Sequence, residues 1–169
     1  SSFSGSSQND AALALINNFG YNSVTMMQCW KMFYNDEEWL EMIHHELSNN
    51  RPLLYRGTDV LQGGHAFVFD GIDAEGKVHV NWGWNGSADG YYDFNNLAPH
   101  VGGATSIYNA LPAMVVGINK EAPVEGEAVV SQWASDSKYI FQAAPGNSID
   151  LYLDNMWNMN FRDFDGEIL

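Results

Sequence analysis

A chain of 169 residues can bury one core, which suggests one domain or one domain plus a fragment. Its 7 Lys and Arg against 21 Asp and Glu leave a formal net charge of −14. That balance excludes a sequence-independent grip on nucleic acid and adhesion to anionic lipid, both of which need a basic surface. The single cysteine, Cys29, excludes an intrachain disulfide and a multi-cysteine metal cluster.

The opening Ser1-Ser2-Phe3-Ser4-Gly5-Ser6-Ser7 has no signal-peptide character and no initiator Met. It reads as a Ser/Gly loop at a cut boundary, and a targeting signal upstream is compatible with that reading. Asn9 or Asp10 is expected to cap a first helix carrying Ala11, Ala12, Leu15, Ile16 and Phe19, stopped by Gly20 in a left-handed conformation. A second helix is expected from Asn35, with Glu38 three residues on as its capping-box partner. Trp39, Leu40, Ile43 and Leu47 lie at the helical period, and Asn49-Asn50-Arg51-Pro52 ends the pattern.

Strands follow at Leu53 to Tyr55, His65 to Phe69 and Lys77 to Trp82, the last two joined by the hairpin turn Asp73-Ala74-Glu75-Gly76. Asn85-Gly86 and Asp89-Gly90 punctuate the entry to Tyr91 to Phe94, and Ala113 to Ile118 reads as a buried strand. Helices first and an antiparallel meander after is an α+β order. Residues 119–126 turn to Lys, Glu, Pro and Gly, the composition of a linker. Beyond them, Ala128 to Trp133, Tyr139 to Gln142 and Ile149 to Leu153 are strand-like, with Pro145-Gly146-Asn147 as a turn. These resemble the opening of a β-sandwich that stops before it closes a core. No stretch reaches the apolar length of a transmembrane helix.

The residues that can carry chemistry gather in two motifs, Gly63-Gly64-His65-Ala66-Phe67-Val68-Phe69-Asp70-Gly71 and Val78-His79-Val80-Asn81-Trp82-Gly83-Trp84. His65 stands at the mouth of an apolar strand, and Asn81 lies on the strand paired with it through the turn. A Cys-His-Asn hydrolase needs these groups: an imidazole to take the thiol proton, and an amide to hold that imidazole in one tautomer. Trp82 and Trp84 would shield such a hydrogen bond from water, though both also fit a plain core role, as Asn81 fits a turn.

Cys29 is expected to be an inert buried thiol. It sits in the bulky run Met26-Met27-Gln28-Cys29-Trp30, without the helix N-terminus or neighbouring cation that activates a thiolate. His44 and His45 are adjacent on a helix and cannot share one face, so they make poor metal ligands. His79 alternates with valines and faces solvent or a neighbouring strand, and His100 follows a proline in a loop. No P-loop, dinucleotide fingerprint or serine nucleophile elbow is present. No metal or other cofactor is expected.

Together with Asn18 to Asn22 and Glu46 to Pro52, the two motifs resemble the streptopain family of secreted bacterial cysteine peptidases, which have a papain-like fold. The resemblance runs in unbroken order from about Ser4 to Ile118. It implies His65 as general base, Asn81 as its orienter, and Trp82 and Trp84 as walls of the site. It also implies substrate-backbone binding at Gly64 and along a Ser/Gly segment like Ser4 to Ser7, and an apolar residue before the scissile position. The family's nucleophilic cysteine belongs to a half of the domain that precedes this Ser/Gly loop. Its glycine-rich mobile loop is reduced here to Gly102-Gly103.

The expected organisation is therefore residues 1–118 as the His/Asn part of a papain-like catalytic domain, 119–126 as linker and 127–169 as an incomplete β-domain. The expected partners are a companion chain or upstream segment carrying the nucleophilic cysteine, and protein or peptide substrates. The expected location is outside the cell or at its surface. Two rival readings remain beside it. One is a non-catalytic module stacking peptides or sugars on Trp84, Tyr91 and Tyr92; the other is an inactive truncated homologue.

Overall fold

The computed structural model describes residues 6–121 and two short strands, Trp133–Ser135 and Met156–Asn158. The first helix, α1 (Gln8–Phe19), starts two to three residues earlier than expected. Ser7 is the N-cap, because its hydroxyl accepts the Asp10 N–H while the Asp10 carboxylate accepts the Ser7 N–H, a reciprocal capping box. Asp10 is the box partner rather than the cap. Gly20 closes α1 at φ 72°, as the glycine there suggested. Ala12, Leu15 and Ile16 pack inward, whereas Phe19 is 61% exposed and leaves the expected apolar face.

Asn35 and Glu38 form the expected capping box of α2 (Asp36–Ser48). Its last turn is pinned by Glu46, which is buried, holds Arg51 with both oxygens (3.0 and 2.9 Å) and accepts the Gly117 N–H at 2.9 Å. A charge this buried is tolerated because it is paired and hydrogen-bonded.

Between the helices stands a six-stranded antiparallel sheet ordered β1-β8-β2-β3-β4-β5. Its strands are β1 (Met27–Trp30), β2 (Leu53–Asp59), β3 (Gly63–Ile72), β4 (Val78–Asn81), β5 (Gly90–Tyr92) and β8 (Ala110–Val116). The short hairpin of β6 (His100–Val101) and β7 (Ala104–Thr105) turns at Gly102 and Gly103, both at positive φ. Strand β1 had no sequence signature of its own: four residues without turn residues around them, paired at the edge with β8.

Burial alternates along β2, so each face of the sheet has its own core. On the α2 face Trp39, Ile43, Tyr55, Phe67, Phe69, Val78, Val80 and Trp82 are all 2% exposed or less. On the other face α1 lays Ala12, Leu15 and Ile16 over Met26, Leu54, Val115 and Ile118. Two helices on an antiparallel sheet give the expected α+β class.

Strands β9 (Trp133–Ser135) and β10 (Met156–Asn158) pair antiparallel, Trp133 opposite Asn158. Of the strands expected in the 127–169 segment, Ala128 to Trp133 meets β9 only at Trp133, β10 was not expected, and Tyr139 to Gln142, Ile149 to Leu153 and most of the 119–126 linker lie outside the described residues. Among those described, no helix is long and apolar enough to cross a membrane.

Candidate active site

His65 lies near the start of β3, opposite Gly57 of β2 and half-buried. Strand alternation puts it on the same face as Phe67 and Phe69, at the end of the α2-side core. Its Nε2 is 2.9 Å from the main-chain carbonyl oxygen of Trp82. A carbonyl only accepts, so this bond assigns the proton to Nε2 and leaves Nδ1 as the basic nitrogen of the neutral ring.

Aromatic rings enclose the imidazole. Trp84 stacks on it at 4.7 Å between centroids and 14° between planes, with Tyr108 at 5.5 Å, Phe67 at 5.8 Å and Trp82 at 6.3 Å. Such rings exclude water and favour a cation held over their faces.

Asn81 does not reach the imidazole by a hydrogen bond. It is opposite Val68, while the adjoining pair Phe69 and Val80 is buried in the α2-side core. Period-two alternation therefore sends Asn81 to the opposite face from His65. Its Oδ1 instead accepts the Gly83 N–H at 3.0 Å, an Asx turn that lets the chain reverse through Gly83 at φ 76°. The Trp82 N–H donates to Asp89 Oδ1 at 2.9 Å. Trp82 is thus fixed on both sides, with its carbonyl aimed at His65. The expected amide contact is replaced by a main-chain one, which no sequence motif signals.

Tyr108 also went unnoticed in the sequence, being 43 positions beyond His65. It is brought in by Gly57: a Cβ built there would lie 1.9 Å from the Tyr108 carbonyl oxygen. Only a bare backbone permits that approach. The Tyr108 N–H donates to Leu97 O at 3.0 Å. Next to it, the Ile107 N–H donates to Asp59 Oδ2 at 2.6 Å, and Asp59 Oδ1 accepts the N–H groups of Leu61 and Gln62, both at 2.8 Å. The Ile107 bond, then those of Gln62 and Leu61, hold the Asp59 carboxyl below the usual carboxylate range.

A pocket of about 200 Å³ opens beside His65, lined also by Ser6, Ser7, Gln8, Arg56, Gly64 and Ala66. Gly64 faces open space, and the nearest heavy atom to a Cβ there would be Thr58 Oγ1 at 3.9 Å.

Cys29 is far from this site. From β1 to His65 on β3 the sheet passes through β8 and β2, three inter-strand steps or about 14 Å. The thiol is wholly buried, and burial pushes it up to about 12, which suits the inert reading. The remaining histidines stand apart. His44 and His45 are exposed on α2, His79 pairs with Asp70 and meets Tyr91 edge-on, and His100 bonds Thr105 Oγ1 at 2.9 Å. Among the described residues no group of three or more His, Cys, Asp and Glu gathers to hold a metal.

The aromatics of the rival stacking surface are divided. Trp84 lies on His65, Tyr92 packs edge-on against buried Trp82, and Tyr91 stands with His79.

Comparison with known proteins agrees with this geometry. A family model described as the Peptidase C10 family matches residues 1–92. Streptopain of Streptococcus pyogenes is 41% identical over 108 residues, covering 62% of this chain and 27% of that protein. The thiol protease/hemagglutinin PrtT of Porphyromonas gingivalis is 41% identical over 93 residues, 52% of this chain and 11% of that one. The solved structure of active wild-type interpain A cysteine protease from Prevotella intermedia superposes with a TM-score of 0.59 at 38% identity, covering 68% of this chain and 46% of that one. The chain thus spans about a quarter of the length of the streptopains it matches. Over that span, the fold, the His65 motif and the Asn81-Trp82-Gly83-Trp84 turn lead to one assignment: this chain belongs to the Peptidase C10 family, the streptopain group of papain-like cysteine peptidases.

Proposed function

We propose that this chain is the histidine-bearing part of a secreted bacterial cysteine endopeptidase, whose nucleophilic thiol comes from a companion polypeptide or upstream segment. The observation that carries the reading is the His65 imidazole: Nε2–H is tied to the Trp82 carbonyl and Nδ1 is left basic, within an aromatic enclosure and beside an open pocket. The distance and burial of Cys29 support an outside source for the thiol, and the names of the relatives support the reaction class.

In this reading, His65 Nδ1 takes the thiol proton, and the resulting thiolate attacks the carbonyl carbon of the scissile peptide. The Trp82 carbonyl oxygen and the ring faces of Trp84 and Tyr108 stabilise the imidazolium. The tetrahedral adduct collapses as the imidazolium returns its proton to the leaving amine, giving a thioester. His65 then takes a proton from water, the hydroxide adds to the thioester, and the thiol leaves with the proton back on sulfur. His65 is the catalytic base. Asn81 serves as a positioning residue that shapes the turn carrying the Trp82 carbonyl.

The test is His65→Ala in the assembled protein, with hydrolysis of an unstructured protein substrate followed by mass spectrometry of the products. Cleavage at internal peptide bonds should fall by about 10²–10⁴-fold or more. Undiminished cleavage by the folded variant overturns the assignment.

A further inference from the structure

We infer that Asp59 is a positioning residue for the His65 base: its carboxylate ties the β2–β3 turn to the segment carrying Tyr108, and so holds the Tyr108 ring against the imidazole. The inference rests on the peptidase reading above.

Glu46 and Asp59 are both buried carboxylates, and they are held differently. Glu46 faces Arg51, whereas Asp59 forms no ion pair among the described residues. Its charge is met by three main-chain N–H groups: Leu61 and Gln62 on Oδ1, both at 2.8 Å, and Ile107 on Oδ2 at 2.6 Å. An Asx turn accounts for the first two. The third comes from 48 positions along the chain, and the turn does not need it. Only a carboxylate accepts on both sides; an asparagine would point its NH₂ group at one of these donors.

Sheet register puts this knot on the face of the imidazole. Gly57 is opposite His65 and Asp59 is opposite Gly63, so alternation along β2 and β3 brings Asp59 and His65 to the same side. Tyr108 reaches that side too, with its ring 5.5 Å from the imidazole. Apolar packing does little to fasten the turn to the Tyr108 segment. Val60 and Leu61 at the turn are 87% and 88% exposed, and Ile107 is 55% exposed. The hydrogen bond from Ile107 to Asp59 makes that connection.

Without the carboxylate, the Ile107 N–H loses its acceptor. Tyr108 is then held by its own N–H bond to Leu97 O and by the close approach of Gly57. The ring can withdraw from His65 and admit water beside the Nε2–H bond to the Trp82 carbonyl. Neither Asp59 nor Tyr108 lines the pocket beside His65, so the loss falls on the chemical step rather than on substrate binding.

The experiment measures small-peptide turnover by the assembled protein carrying Asp59→Asn, Asp59→Ala, Tyr108→Leu, or Asp59→Asn with Tyr108→Leu. Asp59→Asn should lower kcat about tenfold and Asp59→Ala up to about a hundredfold, with KM within about threefold of the parent. The double variant should be no slower than Tyr108→Leu alone, because Asp59 then has nothing left to position. In protein labelled with ¹⁵N-histidine, the His65 Nε2–H signal, assigned by its absence from His65→Ala, should exchange with water faster in Asp59→Asn. Should Asp59→Ala fail to fold, the isosteric Asp59→Asn decides. A folded Asp59→Asn protein with parental kcat, or losses that multiply in the double variant, overturns the inference while leaving the peptidase reading standing. No turnover by the parent, with His65→Ala no different, removes both.

Discussion

Gly57→Ala probes how the site is assembled. A Cβ at this position meets the Tyr108 carbonyl oxygen at 1.9 Å and its carbonyl carbon at 2.8 Å. Ordinary contact begins near 3.4 Å, so the two backbones must separate by about 1.5 Å. Neither is a flexible side-chain tip. Three things yield together: the Tyr108 N–H bond to Leu97, the Ile107 bond to Asp59, and the Tyr108 ring beside His65. Overpacking of this kind costs about 1–3 kcal/mol, a fall in Tm of roughly 2–12 °C for a chain of this size. Misplacement by about an ångström near reacting groups costs up to about 10²-fold in rate, so turnover should fall about ten- to a hundredfold. The assay pairs thermal unfolding with small-peptide turnover by the assembled protein. Gly64→Ala, whose Cβ meets no atom closer than 3.9 Å, serves as control and should leave Tm unchanged. A Gly57→Ala protein with parental Tm and turnover would refute the packing argument.

Three further predictions follow from the same geometry. Asp59 has a depressed folded-state pKa, so its contribution to stability is present above the unfolded value and is lost as pH falls through the folded one. Asp59→Asn should flatten the acid side of the Tm-against-pH curve, and a parallel loss of Tm at all pH values would count against the assignment. Asn81→Ala removes the acceptor for the Gly83 N–H but leaves the Trp82 carbonyl; kcat should fall with KM little changed, and by less than in His65→Ala. Cys29, pushed up to about 12 by burial, should resist iodoacetamide at pH 8 until the protein is unfolded, as read by intact mass; rapid alkylation of the native protein would contradict its placement in the core.

Much of this architecture was legible because its signals are local. Asn35 with Glu38 marked the start of α2, Gly20 marked the end of α1, and Asp73 to Gly76 marked the β3–β4 hairpin. The α1 cap was misplaced because Ser7, Asn9 and Asp10 all suit that role, and only the reciprocal Ser7–Asp10 bonds choose among them. Strand β1 was invisible because its identity comes from pairing with β8, more than eighty positions away. Within the site, the residue types of His65 and Trp84 announced an enclosed imidazole. The atom that orients it did not announce itself, being a main-chain oxygen. Asn81 drew attention as an amide near a histidine, but alternation along β4 turned it to the other face. Tyr108 depends on the absence of a side chain at Gly57, a contact that spans fifty-one positions and leaves no periodic trace.

The most direct test of the central claim is to treat the assembled protein with an active-site-directed epoxide inhibitor of cysteine peptidases and locate the adduct by peptide mass spectrometry. The account predicts one stoichiometric adduct on a cysteine outside this chain, lost in His65→Ala, with Cys29 unmodified. Stoichiometric modification of Cys29 with matching loss of activity would contradict it.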